Sequence, residues 1–280
     1  MASAERDAGR LKTPVRATSP EEAREGPRSS GYPLSDTAVD KALIVLDSLE
    51  KVRSGRSLAD ISAETGLPKP TVHRLLSILE RHGYVQQLPS GRYALGMRVI
   101  ALGQFAASES TLISVGRPIL DRLVTACGET VHLGILQGES LLYIDRREPE
   151  DAAVRLAALP SPLTSLHASA CGKVLLAFGP DELRRAVLSK ELARYTEHTV
   201  TDPARLAAAI EDVRAAGYAV NEQERHIGVR AVAVPVRSRS GEPVAAISAA
   251  GPIQRVDEGH LQRMRALLLD AAAEMALSLP

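Results

Sequence analysis

The amino-acid sequence predicts an α+β fold in two domains that a helical segment joins. Three observations predict it: helical apolar spacing with tight glycine turns early in the chain, a short pair of extended runs after them, and a longer remainder in which paired strands alternate with grouped helices. The 280 residues suffice for two domains of ordinary size. We expect a disordered tail rich in Pro, Ser and charge (1–35), a first domain (36–95), a linker helix (96–110) and a second domain (111–280).

The composition restricts the class of protein. Basic and acidic side chains number 34 each, and this balance argues against a protein that coats nucleic acid without selectivity. The two cysteines are too few for a disulfide framework and have no zinc-type spacing, so we expect no metal and no cofactor. No apolar run approaches the about 18 residues of a membrane span, and the N-terminus lacks a signal-peptide core. We therefore expect a cytoplasmic protein without membrane partners.

The first domain begins with two helices whose ends carry capping residues. Asp36 or Thr37 is suited to cap the first helix. Ser57 and Asp60 have the spacing of a capping box at the start of the second helix, and Gly66 is suited to end it. The apolar residues of the first helix recur at helical spacing and are predicted to face the core: Val39, Leu43, Leu46 and Leu49.

A third helix and a hairpin complete the first domain. The stretch LPKPTVHRLLSILERHG predicts a helix with Pro70 in its first turn and Gly83 at its C-cap. Two short helices joined by a glycine turn indicate a helix-turn-helix, and YVQQLPSGRYALG then predicts a β-hairpin, or wing. One stripe of the third helix is apolar and is predicted to face the core: Val72, Leu75, Leu76 and Leu79.

The opposite face of the third helix is polar and basic. Residues 67–92 carry a local charge of +3, whereas residues 36–66 are net acidic. A merely solvated helix face would look similar, and this interpretation stays open. Positive charge on the second helix of the motif and on its wing favours duplex DNA binding, because phosphate contacts give affinity and side chains near the helix start reach base edges. The candidate DNA-binding residues are Lys69, Pro70, Thr71, His73, Arg74, Ser77 and Arg92.

The linker helix is apolar on too many sides for an isolated helix. We expect it to pack against a second copy of itself, and a dimer also fits the reading of two DNA half-sites. The apolar residues concerned are Val99, Ile100, Leu102 and Phe105.

The second domain alternates strands and helices, which indicates a sheet with helices packed on it. Strands are predicted for TVHLGILQG, SLLYIDRRE, AVRLAALP, YAVNEQE, AVAVPVRS and EPVAAISAAG. Helices are predicted within SLHASACGKVLLAF and PDELRRAVLS, between the cap Asp202 and Gly217, and after Asp257.

The stretch SLHASACGKVLLAF, residues 165–178, groups a Ser, a His, a Cys and a Gly-Lys pair. A phosphate-binding loop would need Gly and Ser or Thr where His167 and Val174 stand, which argues against it. Covalent catalysis by Cys171 with His167 as its base would make the chain an enzyme fused to a DNA-binding domain. This alternative is disfavoured because a helix is expected to begin after His167 and no GxSxG elbow surrounds Ser169.

The third interpretation of this stretch is the wall of a ligand pocket. Small side chains at 168–172 let a helix start pack closely on the sheet, and a helix N-terminus offers amide groups to a carboxylate or phosphate. Plain close packing would use the same residues and remains the alternative. His132 and His226 are interpreted as partly buried histidines, and no grouping of the seven histidines predicts a metal site.

Three segments together resemble the IclR family of bacterial transcription regulators: SLADISAETGLPKPTVHRLLSILERHGYV, LHASACGKVLLAF and GYAVNEQERHIGVRAVAVPVRSRSGEPVAAISAAGP. The resemblance covers residues 37–278. It implies a winged helix-turn-helix that binds double-stranded operator DNA, a helical linker that makes the dimer, and a GAF-like C-terminal domain that binds a small effector, an organic acid or an aromatic metabolite. It also implies a ligand-responsive regulator without enzymatic activity, expected to repress a metabolic or catabolic operon as a homodimer or homotetramer.

The effector site of the family is carried over by motif position. Asn221 stands where members often have Asp, and Ala250 stands where a second Ser is common. We therefore expect a less polar pocket than in members that sense very small keto acids, and a larger or more apolar effector. The residues that the resemblance implies for this site are Leu166, Ala170, Cys171, Asn221, Val229, Ala231 and Ser248.

Overall fold

The computed structural model describes residues 37–50, 54–150 and 163–279, so the predicted tail lies outside the described residues. The first domain has the predicted winged helix-turn-helix, with three helices and a two-stranded antiparallel hairpin. Its elements are α1 (Ala38–Leu49), α2 (Leu58–Thr65), α3 (Lys69–Arg81), β1 (Val85–Gln87) and β2 (Tyr93–Leu95).

Local capping groups set the ends of these helices. The Thr37 side chain accepts a hydrogen bond from an amide in the first turn of α1, and the predicted capping box opens α2. Gly66 has a φ of 69°, a left-handed conformation that costs glycine little and lets the chain turn between α2 and α3. The C-cap of α3 is His82, one residue before the predicted position, and Gly83 follows it with a φ of 77°.

The core of the first domain lies between the three helices and the hairpin. Leu46 and Leu79 pack against it as predicted. The prediction was wrong for Val39 and Leu43, whose side chains are 68% and 53% exposed. The reason is that α1 turns the stripe around Val45 toward α2 and α3, which places the other two side chains on the opposite side. The buried core residues are Val45, Leu49, Ile61, Val72, Leu75, Leu76, Val85 and Tyr93.

Two helices, α4 (Met97–Glu109) and α5 (Thr111–Cys127), lead into the second domain. Ser110 separates them, and its side chain accepts a hydrogen bond from the Ile113 amide at the start of α5. The helix α4 lies within the range 96–110 predicted for the linker. None of the described helices is by itself long and apolar enough to cross a membrane; α4 and α5 reach that length only together, across the bend between them.

The second domain is a six-stranded antiparallel sheet covered by helices on both faces, which confirms the predicted α+β class. The strand order is β5-β4-β3-β8-β7-β6. The short strand β5 was not predicted, and the strand expected from AVRLAALP lies outside the described residues. The elements are β3 (Thr130–Gln137), β4 (Ser140–Arg147), β5 (Leu163–Thr164), α6 (Ala170–Phe178), α7 (Asp181–Leu188), α8 (Pro203–Ala216), β6 (Ala219–Glu222), β7 (Val229–Arg237), β8 (Pro243–Pro252) and α9 (Glu258–Ser278).

The sheet has a separate hydrophobic core on each face because strand side chains alternate between faces. Helices α5 and α9 pack on one face, over residues such as Ile247 and Ala249. Helix α6 packs on the other face, over Ala233 and Ala246, and α8 packs against α6. By this alternation Ser248 belongs to the face that α6 covers, and this face carries most of the residues predicted for the effector site.

Candidate functional site

The third helix of the first domain presents its polar face to solvent. Its apolar stripe is buried in the domain core, so the opposite side chains stand outside. Neither Lys69 nor Arg74 makes an ion pair with another residue that the structure describes, and Thr71 is half-buried. These cations therefore remain available for phosphates or base edges. The exposed candidate residues on this helix are Lys69, Pro70, His73, Arg74 and Ser77.

The wing residue Arg92 forms contacts within the first domain, unlike the exposed candidate residues of α3. Its Nε donates a hydrogen bond to the Gly55 carbonyl at 2.8 Å, and its Nη2 lies 3.5 Å from Asp60 Oδ2. The neighbouring Tyr93 exchanges two backbone hydrogen bonds with Arg56, at 2.7 and 2.8 Å. The structure thus ties the wing to the start of α2 and leaves Arg92 half-buried rather than freely exposed.

The start of α6 lies unusually close to the preceding chain. The Ser169 side chain caps the helix by accepting a hydrogen bond from the Gly172 amide at 3.1 Å. A Cβ on Gly172 would lie 2.0 Å from the Leu166 carbonyl oxygen, so only glycine fits there without a backbone shift. The small residues recognised in the sequence therefore have a packing role, and they bring the helix start against the sheet.

Neutral polar groups gather where α6 meets the sheet. Cys171 is fully buried, and its Sγ lies 3.8 Å from the Ala246 carbonyl oxygen on β8. Burial raises the pKa of the Cys171 thiol to about 12, so the thiol stays protonated at neutral pH. The predicted residues Ala170, Cys171 and Ser248 are all buried where α6 meets the sheet.

The remaining apolar candidates lie at different distances from this region. Leu166 is buried in the hydrophobic cluster around α6, and Ala231 packs against the same cluster. Val229 lies outside that cluster, half-buried at the start of β7 and opposite Pro252. The structure therefore brings Leu166 and Ala231 to the start of α6 but not Val229.

Asn221 uses its side chain to connect two loops. Its Nδ2 donates to the Ala168 carbonyl at 2.7 Å, and its Oδ1 accepts from the Glu224 amide at 3.2 Å. An aspartate would lack the donor for the first of these bonds. The Asn221 amide group therefore fixes the chain just before α6 to the turn after β6. The sequence predicted an effector contact for Asn221 and did not predict these two hydrogen bonds within the protein.

A buried ion pair that the sequence did not reveal lies beside this connection. The Nζ of Lys173 contacts the Glu224 carboxylate and donates to the Val220 carbonyl at 2.7 Å, and both charged side chains are only 8% exposed. The Glu224 carbonyl in turn accepts a hydrogen bond from Thr199 Oγ1 at 2.7 Å. Since 51 residues separate the two charges, no local spacing could have indicated the pair.

Two aromatic side chains, His132 and Tyr143, complete the sheet side of the region. Their ring centroids are 4.8 Å apart, and Tyr143 packs against the hydrophobic cluster that contains Ala170 and Cys171 at the start of α6. His132 is directly opposite Ser248 in the register between β3 and β8. Sequence reasoning classed His132 as a partly buried histidine and did not consider Tyr143.

The geometry does not join a catalytic pair in the stretch 165–178. His167 Nε2 bonds with the Ala193 carbonyl at 2.9 Å, and burial lowers the pKa of His167. No hydrogen bond connects His167 with Cys171 in the part of the chain that the structure describes. Within the same residues no group of three or more His, Cys, Asp or Glu side chains has the arrangement of a metal site.

Two family models match this chain and together span most of it. The IclR helix-turn-helix domain matches residues 38–89, and the C-terminal domain of the bacterial transcriptional regulator IclR matches residues 104–277. The chain belongs to the IclR family. As a member of the IclR family it is a ligand-responsive, DNA-binding transcription regulator, which confirms the resemblance seen in the sequence.

Relatives of known name and structure agree with membership of the IclR family. The chain is 35% identical to the HTH-type transcriptional regulator BhcR of Paracoccus denitrificans (strain Pd 1222), over 86% of this chain and 87% of the relative. It is 28% identical to the transcriptional repressor IclR of Escherichia coli (strain K12), over 86% and 89%. An IclR homologue from Microbacterium hydrocarbonoxydans, solved with 4-hydroxybenzoate, superposes with a TM-score of 0.73 at 29% identity, over 87% of this chain and 99% of that chain.

Proposed function

We propose that the protein represses a metabolic or catabolic operon and that a small organic acid controls its affinity for the operator. The observation that carries the DNA-binding part is the exposed, basic face of α3, where Lys69 and Arg74 pair with no acidic residue that the structure describes. The sign of regulation is supported by a relative named as a transcriptional repressor. In this proposal Lys69 and Arg92 contact phosphates, while Arg74 reads a base edge in the major groove.

The proposed effector site is the buried region between the start of α6 and the sheet. We place the carboxylate of the acid at the backbone amides of Ala170 and Cys171, where the helix dipole favours an anion. The apolar and neutral side chains around it, among them Tyr143 and Ala231, suit an aromatic or other apolar acid better than a very small keto acid. The homologue that binds 4-hydroxybenzoate makes this acid the first probe.

We further propose that the protein is a homodimer or homotetramer that works in the cytoplasm and catalyses no reaction. The exposed apolar side chains of α4, which include Met97, Ile100 and Phe105, support a contact with a second copy. The protonated thiol of Cys171, which lacks His167 as a base, supports the absence of a nucleophile.

Fluorescence anisotropy on DNA from upstream of the protein's own gene tests the DNA-binding part of the proposal. The purified chain is expected to bind this DNA at least about tenfold more tightly than scrambled DNA, and to lose affinity as salt is raised. Equal affinity for both DNAs, in the absence and in the presence of 4-hydroxybenzoate, would contradict sequence-specific regulation.

In the same assay, Arg74→Ala is expected to cost about 1–3 kcal/mol of binding free energy on the upstream DNA and to relax specificity at one base position. Arg185 on α7 is 74% exposed and far along the chain from α3, so Arg185→Ala is the control and is expected to leave affinity unchanged. An equal loss on upstream and scrambled DNA would mark Arg74 as a phosphate contact instead.

A further inference from the structure

The long loop between α7 and α8 encloses a polar cavity together with the first turn of α8. The cavity has a volume of about 370 Å³, which lies within the range of about 300–1,000 Å³ that small-molecule sites occupy. None of the lining residues that the structure describes belongs to the proposed effector site. Most of the wall consists of charged and hydrogen-bonding side chains: Arg194, Glu197, His198, Thr201, Asp202 and Arg205.

Two arginines on this wall lack an acidic partner. Arg194 donates a hydrogen bond from Nη2 to Thr201 Oγ1 at 2.8 Å, and neither Arg194 nor Arg205 forms an ion pair with a residue that the structure describes. Most of the other arginines described in the second domain do pair with an acid, as Arg230 does with Glu222. The two guanidinium groups are therefore available to an anion.

The acidic residues of the wall have other partners than these arginine side chains. The Asp202 carboxylate caps α8 by accepting hydrogen bonds from the Ala204 and Arg205 amides, at 2.7 and 3.3 Å. The Glu197 side chain is 82% exposed and lies 3.8 Å from His198 Nε2. Most donors of the two guanidinium groups thus remain for a ligand.

The place of Arg205 in α8 is unfavourable for the protein alone. Arg205 lies in the first turn of the helix, where the helix dipole favours an acidic side chain, and this turn contains no acidic residue. Its side chain is exposed and forms no hydrogen bond with a described residue, so no contact within that part of the chain explains a cation here. An anion bound beside Arg205 would remove the disadvantage.

The wall of the cavity is held in shape by hydrogen bonds within the protein. Thr199 is buried, and its Oγ1 accepts hydrogen bonds from the Tyr195 and Thr196 amides at 3.0 and 2.8 Å. The same hydroxyl donates to the Glu224 carbonyl at 2.7 Å, and Thr196 Oγ1 donates to the Gln223 carbonyl at 2.8 Å. The loop is thereby fixed to the turn after β6, so little ordering of the backbone is needed when a ligand binds.

We propose that this cavity is a second ligand site and that it binds a phosphate group through Arg194 and Arg205. A phosphate group suits two guanidinium groups because it carries more than one negative charge and its several oxygens accept hydrogen bonds from both. The source of the group is inorganic phosphate or a small hydroxylated phosphate ester, whose remainder suits the polar wall. The inference goes beyond the proposed function and does not depend on it.

Isothermal titration calorimetry on the full chain tests the inference, in a phosphate-free buffer of constant ionic strength. The ligands are inorganic phosphate, glucose 6-phosphate, glucose and acetate. At least one of the two phosphate ligands is expected to bind about tenfold or more tightly than both glucose and acetate, because neither of these carries a group that can engage two guanidinium groups with two charges. The tighter of the two phosphate ligands identifies the source.

Variants with one arginine changed test the assigned residues. Arg194→Gln and Arg205→Gln are each expected to weaken the binding of the better phosphate ligand about tenfold or more, because each removes charge-assisted hydrogen bonds. Arg263 on α9 is also exposed and does not line the cavity. Arg263→Gln is therefore the matched control and is expected to bind phosphate as the wild type does.

Urea denaturation without phosphate separates ligand binding from folding. Arg205→Gln is expected to leave the unfolding midpoint unchanged or to raise it, since a cation in the first turn opposes the helix dipole. A lower midpoint would give Arg205 a structural role and would overturn its place in the site.

Three results of the calorimetry would overturn the proposal. The first is a wild type that binds neither phosphate ligand more tightly than glucose and acetate. The second is wild-type affinity in both Arg194→Gln and Arg205→Gln. The third is an equal loss of affinity in Arg263→Gln, which would show that the general charge of the domain, and not the cavity, attracts phosphate.

Discussion

At the scale of single residues, hydrogen bonds, one ion pair and one glycine hold together segments of the second domain that are distant in sequence. Asn221 connects the chain before α6 to the turn after β6, and Lys173 and Glu224 pair inside the same junction. Gly172 lets α6 approach the backbone of Leu166. Each of these residues acts on the start of α6, so their removal is expected to disturb the proposed effector site and the fold together.

Gly172→Ala is expected to lower the free energy of unfolding by about 1–3 kcal/mol, because its Cβ would lie 2.0 Å from a backbone oxygen that cannot rotate away. Urea denaturation measures the change. Gly259→Ala is the matched control in the first turn of another helix of the same domain, where the added Cβ would meet nothing closer than 3.5 Å. A destabilisation of the control equal to that of Gly172→Ala would refute the steric explanation.

Lys173→Met is expected to cost about 3–5 kcal/mol of stability, because it leaves the Glu224 carboxylate charged, buried and without its cation. The double variant Lys173→Met with Glu224→Leu is expected to recover part of this loss, since no unpaired charge remains. Urea denaturation of the two single variants and the double variant gives the coupling energy.

The exposed pair of Arg185 and Glu182 is the control for that cycle, because both side chains are more than 70% exposed. Arg185→Met is expected to change stability by less than about 0.5 kcal/mol. Simple additivity of the Lys173 and Glu224 variants would show that the pair is not coupled.

At the scale of elements, local signals in the sequence were enough to predict most helices and strands. The capping box of α2, the cap of α8 at Asp202 and the terminal Gly217 all act within a few residues, and the structure has each of them where it was predicted. The face of α1 could not be predicted in the same way, because its apolar residues occupy more than one side. Which side is buried depends on how α2 and α3 pack, and this left Val39 and Leu43 exposed.

The sheet side of the proposed effector site depends on strand register, which local patterns do not contain. His132 meets Ser248 only because β3 pairs with β8, 116 positions later in the sequence. Tyr143 faces the same region because β4 pairs with β3 through an irregular register near Gly134. The family resemblance supplied the residues on α6, β6, β7 and β8, but neither of these two aromatic residues.

The exposed apolar side of α4 leads to a prediction about assembly. Phe105 is 68% exposed, and Phe105→Glu is expected to convert the proposed dimer into monomers by placing charge in the proposed contact between two copies. Sedimentation velocity measures the change. Leu277→Glu introduces the same charge at a 75% exposed position of α9 and is expected to leave the dimer intact. A monomeric wild type, or a dimer that survives Phe105→Glu, would refute the role of α4.

At the scale of the whole molecule, the chain combines a basic face near its beginning with the buried ligand site that we propose for its second domain. The chain runs from the first domain to the second through the helices α4 and α5. Helix α5 packs on β3, β4 and α9 of the second domain. An effector can change DNA affinity only by as much as it binds the two states of the protein differently. The central claim is therefore a coupling free energy between the two sites, with the same value in either direction.

The most direct test of this claim is the affinity of the full chain for its upstream DNA without and with saturating 4-hydroxybenzoate, measured by fluorescence anisotropy at fixed salt. We predict that the acid weakens DNA binding at least about fivefold, which corresponds to about 1 kcal/mol of coupling. Calorimetry under the same conditions shows whether the acid is bound. Unchanged DNA affinity with the acid bound to the protein would contradict the account.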